Sequence, residues 1–239
     1  MPSKIFRGVV LAALLFKLSG PASGQAIGGE TASANAEQTI AQWKASNATC
    51  RSQTASALAA VGGCEQRDTY SKLLTQMNYC YGPTDKTGPA TWSPCDANKA
   101  AQDSALARAT ARFQRMGGVF VLPATINGGA KSYFIVDSGA ANVQIPEEVA
   151  EEMKRNGTIG DADFLGQRRF ILADGSGLQQ RVFRIRTLQI GDRTMENVLA
   201  AVGAPRSRAP LGQSFLRRLS WWKIDNVKNA MEFEFTGSF

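Results

Sequence analysis

Histidine does not occur anywhere in the 239 residues. Without it the chain cannot build a Ser-His-Asp triad, a Cys-His pair or a His-ligated zinc site, so acid–base chemistry falls to carboxylates. Cysteine is scarce as well. Cys50, Cys64, Cys80 and Cys95 are the whole set, and none shows the short CxxC spacing that a zinc knuckle needs. Long apolar runs are missing too: Val9 to Phe16 is too short to span a bilayer as a helix, and no longer run follows. Nor is charge concentrated. The formal +7 counts Lys4, Arg7 and Lys17, and without those three it is +4. Arg168-Arg169, Arg206-Ser207-Arg208 and Arg217-Arg218 are scattered, which reads as solvated surface and argues against a nucleic-acid partner.

Residues 1–24 place Lys4 and Arg7 ahead of the Val9 to Phe16 run and the small-residue stretch Ser19 to Gly24. That is the layout of a signal peptide, with cleavage expected after Gly24 and a periplasmic or secreted product; left uncleaved, the segment would anchor the protein to the membrane. In such an oxidising compartment an even set of cysteines reads as two disulfides, with three connectivities open. Cys80 with Cys95 is the preferred pair, because Pro83, Gly88, Pro89 and Pro94 between them gain most from being tied off.

Two grammars divide the remainder. Residues 25–116 form a cysteine-containing helical domain, with helices expected over Glu37 to Val61, Glu65 to Tyr81 and Ala97 to Met116, the last after Asp96 as N-cap. The apolar stripes are narrow, so the disulfides supply stability that a small core cannot. From Gly117 onward the chain turns to β-type runs: Val119 to Ile126, Ser132 to Val136, Phe170 to Leu172, Val182 to Ile190, Met195 to Val202, Trp221 to Ile224 and Met231 to Phe235. A turn is expected at Asn127-Gly128-Gly129. One helix starts at Pro146 and ends near Asn156-Gly157, with Glu147, Glu148, Glu151 and Glu152 early and Lys154-Arg155 late, as the helix dipole favours.

Chemistry concentrates at Tyr133 to Asn142, YFIVDSGAAN, where one carboxylate, Asp137, leaves the apolar run Phe134-Ile135-Val136 and enters a Ser138-Gly139 turn. The run is expected to be buried on both faces and to hold the turn rigidly. Taken alone, Asp-Ser-Gly is also what an ordinary strand-closing turn looks like. Two downstream features change its weight. Ala173-Asp174-Gly175-Ser176-Gly177 joins two β-type runs and reads as a glycine-tipped flap able to approach an extended peptide. Leu211-Gly212, before a short helix, offers a glycine where close packing against the aspartate turn would need the side chain absent.

With these motifs, FIVDSGAANVQIP, ADGSG, TLQIGDRTMENV and LGQSFLRRLSWWKID, residues 117–239 resemble the retropepsin-like aspartic proteases. The likeness is closest to the bacterial group with one such domain behind an amino-terminal export or anchor segment. The resemblance implies a mainly β fold: half of an acid-protease β-barrel, closed by homodimerisation and preceded here by the disulfide-stapled helices. It implies that Asp137 is catalytic, that Ser138 braces the paired turns across the dimer, and that no cofactor or metal is needed. Peptide hydrolysis by carboxylates uses two of them about a water, sharing one proton, because like charges so close cannot both ionise. The chain has one Asp-Ser-Gly, so the partners expected are a second copy of itself and a peptide or protein substrate. Ala141 and Pro210 depart from the family pattern, and they motivate the rival reading of a catalytically silent dimerisation or peptide-binding module of the cell envelope. A further reading makes the helical half a propeptide or lid. Ser214 has no base nearby and is assigned to a helix N-cap or turn, Asp161 and Asp163 to solvated loop, and Trp221-Trp222 to core or to surface or dimer contact. Alternation marks Glu232 and Glu234 as the wet face of a strand.

Overall fold

The computed structural model describes residues 27–83, 89–96, 108–171 and 175–235. Helices α1 (Ile27–Arg51) and α2 (Ala57–Gln76) form a hairpin. The single helix expected over Glu37 to Val61 is therefore interrupted. The Ser52 hydroxyl accepts from the Thr54 and Ala55 N–H groups, and Ser56 caps α2 by accepting from Ala59 N–H at 3.2 Å. Both serines compete with the helical ladder, which is why the chain breaks there. A Cβ on Gly63 would lie 2.8 Å from the Cys50 nitrogen, so only glycine lets the two helices approach this closely. The Cys50–Cys64 disulfide locks that contact, and Cys80–Cys95 closes the second loop as preferred from sequence.

Tyr79 to Tyr81, expected as the end of the second helix, instead open a hairpin of β1 (Tyr79–Pro83) and β2 (Ala90–Pro94). Asn78 at φ 63° ends the helix and turns the chain. Trp43, Leu74 and Trp92 form a small core here, with Tyr81 4.9 Å from Trp43. The third expected helix is also revised. Residues 97–107 lie outside the described residues, while Arg108–Arg112 is strand β3 and Gln114–Met116 is strand β4. β3 buries Ala109 and Ala111 and exposes its other side chains, a period of two that small alanines conceal.

The remaining elements are β5 (Val119–Ile126), β6 (Ala130–Val136), β7 (Val143–Ile145), α3 (Glu147–Arg155), β8 (Phe164–Ile171), β9 (Gly177–Ile190), β10 (Arg193–Val202), β11 (Ala209–Leu211), α4 (Gln213–Leu216), β12 (Leu219–Asp225) and β13 (Ala230–Phe235). The protein is mainly β. One sheet runs β11-β6-β5-β9-β10-β7, with β4 on β5 and β8 on β9; it stays open, as half of a barrel does. β12-β13-β3 forms a second sheet. Between them lies a core including Phe134, Ile145, Phe183, Ile185, Phe215 and Phe233, closed at one end by Ala150 and Met153 of α3. Asn127 and Gly128 both take positive φ in the β5–β6 turn, the geometry that matches strand twist in a tight hairpin.

Burial corrects three sequence assignments, and cap position narrows a fourth. Ile135 and Val136 are half-buried, and only Phe134 in that run is fully enclosed. Asp163 is 1% exposed and receives two hydrogen bonds from Arg184, so it is a buried ion-pair anchor, while Asp161 remains in solvent. Arg218, assigned to surface from its sequence neighbours, is 2% exposed. Of the two roles assigned to Ser214, the N-cap of α4 falls to Gly212, while Ser214 serves the turn, its N–H donating to the Ala141 carbonyl.

Candidate active site

Strand β6 delivers Asp137 to the surface. Its N–H donates to the Leu211 carbonyl at 3.3 Å, extending the parallel β6–β11 pairing by one residue. One carboxylate oxygen, Oδ1, accepts from Gly139 N–H at 2.9 Å, and the Asp137 carbonyl accepts from Ala140 N–H at 3.3 Å. Asp137, Ser138 and Gly139 are all exposed. The local sequence dictates this shape, since an aspartate accepting from the backbone two residues on folds its own turn. A Cβ on Gly139 would sit 3.3 Å from Asp137 Oδ1, which keeps the carboxylate close over the backbone.

The segment 211–214 straps this turn from below. A Cβ on Gly212 would fall 2.3 Å from the Asn142 carbonyl oxygen and 2.7 Å from that of Ala140. Gln213 Nε2 donates to the Ser138 carbonyl, and Gln213 N–H donates to the Ala140 carbonyl, each at 2.8 Å. Ser214 N–H donates to the Ala141 carbonyl at 3.1 Å. The Ser214 hydroxyl, buried, accepts from Val143 N–H at 2.9 Å and donates to the Leu199 carbonyl at 2.6 Å. Leu211 and Gly212 are thus brought to the aspartate turn. Gln213 and Ser214 complete the strap without a clear sequence signal, beyond two polar residues opening a helix right after an apolar pair. Pro210 falls on the three-residue strand β11, paired with Ile135 at the end of the sheet, where a residue without an N–H is tolerated.

Hairpin β8–β9 pairs Ile171 with Gly177 below its tip. Of the flap assignment, Ala173 and Asp174, with Leu172, lie outside the described residues; Gly175, Ser176 and Gly177 are exposed, and Gly175 has φ 81°. The Arg169 guanidinium lies on the Gly177 backbone, where a Cβ would be 2.6 Å from Nε. Ile171 is 67% exposed and Leu178 40%, so the hairpin presents apolar side chains to solvent. Tyr133 and Ile135 share the face of β6 that carries Asp137, by the period of two. They line a groove of about 430 Å³ with Pro146, Val149 and Arg208.

The sulfurs of Cys50 and Cys64 and a carboxylate oxygen of Glu196 lie within 4.8 Å of one another. Both sulfurs are consumed in the disulfide and are not thiolate ligands.

Residues 122–218 match the protein family described as "gag-polyprotein putative aspartyl protease". No curated protein sequence matches the chain significantly. Among solved structures, the chain is similar to a retropepsin-like aspartic protease from Rickettsia conorii, at 22% identity, covering 54% of this chain and 90% of that one with a TM-score of 0.38. The segment that matches this family, residues 122–218, holds the Asp137 turn and the strap around Gly212 and Gln213.

Proposed function

We propose that the protein is an aspartic endopeptidase whose active site forms when two chains bring their Asp137 carboxylates together. The single observation that carries this reading is the exposed Asp137, set in a turn shaped by Gly139 and strapped by Gly212 and Gln213 within a family-matched segment. One chain supplies one such carboxylate, and its sheet is open. Across a two-fold axis the pair would share a proton: one carboxylate takes a proton from the attacking water while the other protonates the carbonyl oxygen. Ser138 would brace the two turns, the β8–β9 flap over 173–177 would close on the peptide as an added strand, and the Tyr133–Ile135 groove would take an apolar side chain. Two disulfides suit an oxidising compartment, and among the described residues no helix is long and apolar enough to cross a membrane. The disulfides support export, for which residues 1–24 would be the signal.

Asp137→Asn should abolish peptide cleavage at mildly acidic pH. Because the side chain is exposed, the unfolding free energy should change by no more than about 0.5 kcal/mol. Cleavage by that variant at the wild-type rate contradicts the assignment, as would failure of the wild type to bind a statine transition-state mimic tightly.

A further inference from the structure

Helix α4 is anchored at both ends. Its first residues hold the aspartate turn, as described above; its last lead into Arg217 and Arg218, which reach the helical unit. Arg218 Nε donates to Asp68 Oδ2 on α2 at 2.6 Å, and Nη1 donates to the carbonyls of Glu196 at 2.8 Å and Asn197 at 3.2 Å on β10. Asp68, itself 5% exposed, accepts from Arg67 Nε through its other oxygen at 2.9 Å. Glu65 pairs with Arg217, Lys72 Nζ donates to the Arg217 carbonyl, and Asn197 Nδ2 donates to the Cys50 carbonyl at 2.9 Å. The contacts of Asp68, Glu65 and Lys72 tie α2 to the residues that immediately follow α4, and that of Asn197 ties the disulfide to β10.

A four-residue helix has almost no cooperative stability of its own, so its position is set by what grips its ends. At one end the grip is the turn. At the other it is a buried ion pair with directional hydrogen bonds, where an apolar contact of the same volume would be as stable but less oriented.

We infer that Asp68 is a positioning residue for the Asp137 turn: by holding Arg218 it fixes the far end of α4, and α4 carries the hydrogen bonds that shape the turn. Asp68 lies outside the family-matched segment, so a part of the helical unit is a working part of the site. The consequence for catalysis rests on the reading of Asp137 given above; the coupling of Asp68 to the turn rests on the contacts alone.

The test uses the full chain carrying Asp68→Asn, and separately Asp68→Leu with Arg218→Met, which removes both charges of that pair, leaves Arg67 its contact with Glu196 at 3.6 Å, and provides a second measurement should the single variant fail to fold. Residue-resolved amide exchange follows Ala140, Gln213 and Ser214, whose N–H groups make the turn's hydrogen bonds. Exchange at these amides should quicken by about tenfold or more while the amides of α3 and of the β5–β6 hairpin keep native rates. On the same samples kcat should fall by about tenfold or more with KM within about twofold, since the carboxylate is displaced and the groove is not. Native exchange at the three amides and native kcat in a folded variant would overturn the inference. If the wild type itself cleaves nothing, the protease reading fails and the exchange result still decides the coupling.

Discussion

Gly212 has no room for even one methyl group, because the Asn142 and Ala140 carbonyls occupy the space a Cβ would take. Gly212→Ala must push the strap away from the turn, at a cost of about 1–3 kcal/mol for overpacking a fixed backbone contact. Chemical denaturation would read that loss, and wild-type stability would show that strap and turn are not tightly packed. Asp137 and Gly212 were legible in the sequence because their chemistry is local: a carboxylate before Ser-Gly, and a glycine between an apolar pair and a helix. Arg218 and Asp163 were not. Each looks like an ordinary surface charge until its partner is known, and Asp68 stands 150 residues from Arg218 in the chain, Arg184 21 residues from Asp163. Charges whose burial depends on such distant partners leave no local periodicity to read.

Among the elements, the β12–β13 hairpin is held by charge as well as by its core face. Glu232 lies between Lys223 and Lys228, whose hydrogen bonds hold its carboxyl down at about 2 against an ordinary 4.5. Lys228 N–H likewise lowers Asp225 at the turn. Since the folded-state value of Glu232 is the lower one, its contribution is complete above pH 4.5 and is lost as pH falls toward about 2. Mildly acidic conditions, where a shared-proton pair would work, leave it in place. Glu232→Gln should therefore be less stable than wild type at neutral pH, with the two thermal-unfolding midpoints converging near the acid end; parallel curves would remove Glu232 from the pH dependence. The β1–β2 hairpin depends on a covalent tie instead. Replacing Cys80 and Cys95 together by serine frees a loop of 15 residues and should cost about 3 kcal/mol, measurable as a lowered denaturation midpoint, whereas an unchanged midpoint would mean the aromatic cluster suffices. Strands with alternating large side chains, such as β6 and β13, and the charge-sorted helix α3 were readable from sequence. β3 was not, since its inward residues are alanines, which favour helix in isolation and are held extended here by pairing with β13.

At the scale of the whole molecule, the helical unit meets the β unit where α2 abuts β10, through the Asp68–Arg218 pair, the Asn197 contact with Cys50 and a buried apolar cluster of Val61 with Val182, Leu199 and Ala201. The sheet is open and the turn that carries Asp137 stands exposed on it, and on the proposed reading the surface that completes the site would come from a second chain. A second copy would supply it most simply, because closed two-fold symmetry sets identical residues opposite one another. That arrangement has a quantitative consequence that a self-sufficient subunit lacks. When wild-type chains are exchanged with a growing excess of Asp137→Asn chains at fixed total concentration, pairs holding two intact carboxylates become rare. Peptide cleavage per wild-type chain should then fall in proportion to the wild-type fraction. Cleavage per wild-type chain that stays constant across the mixing series, with exchange of chains verified, would mean that each subunit works alone and that no dyad forms between two copies of Asp137.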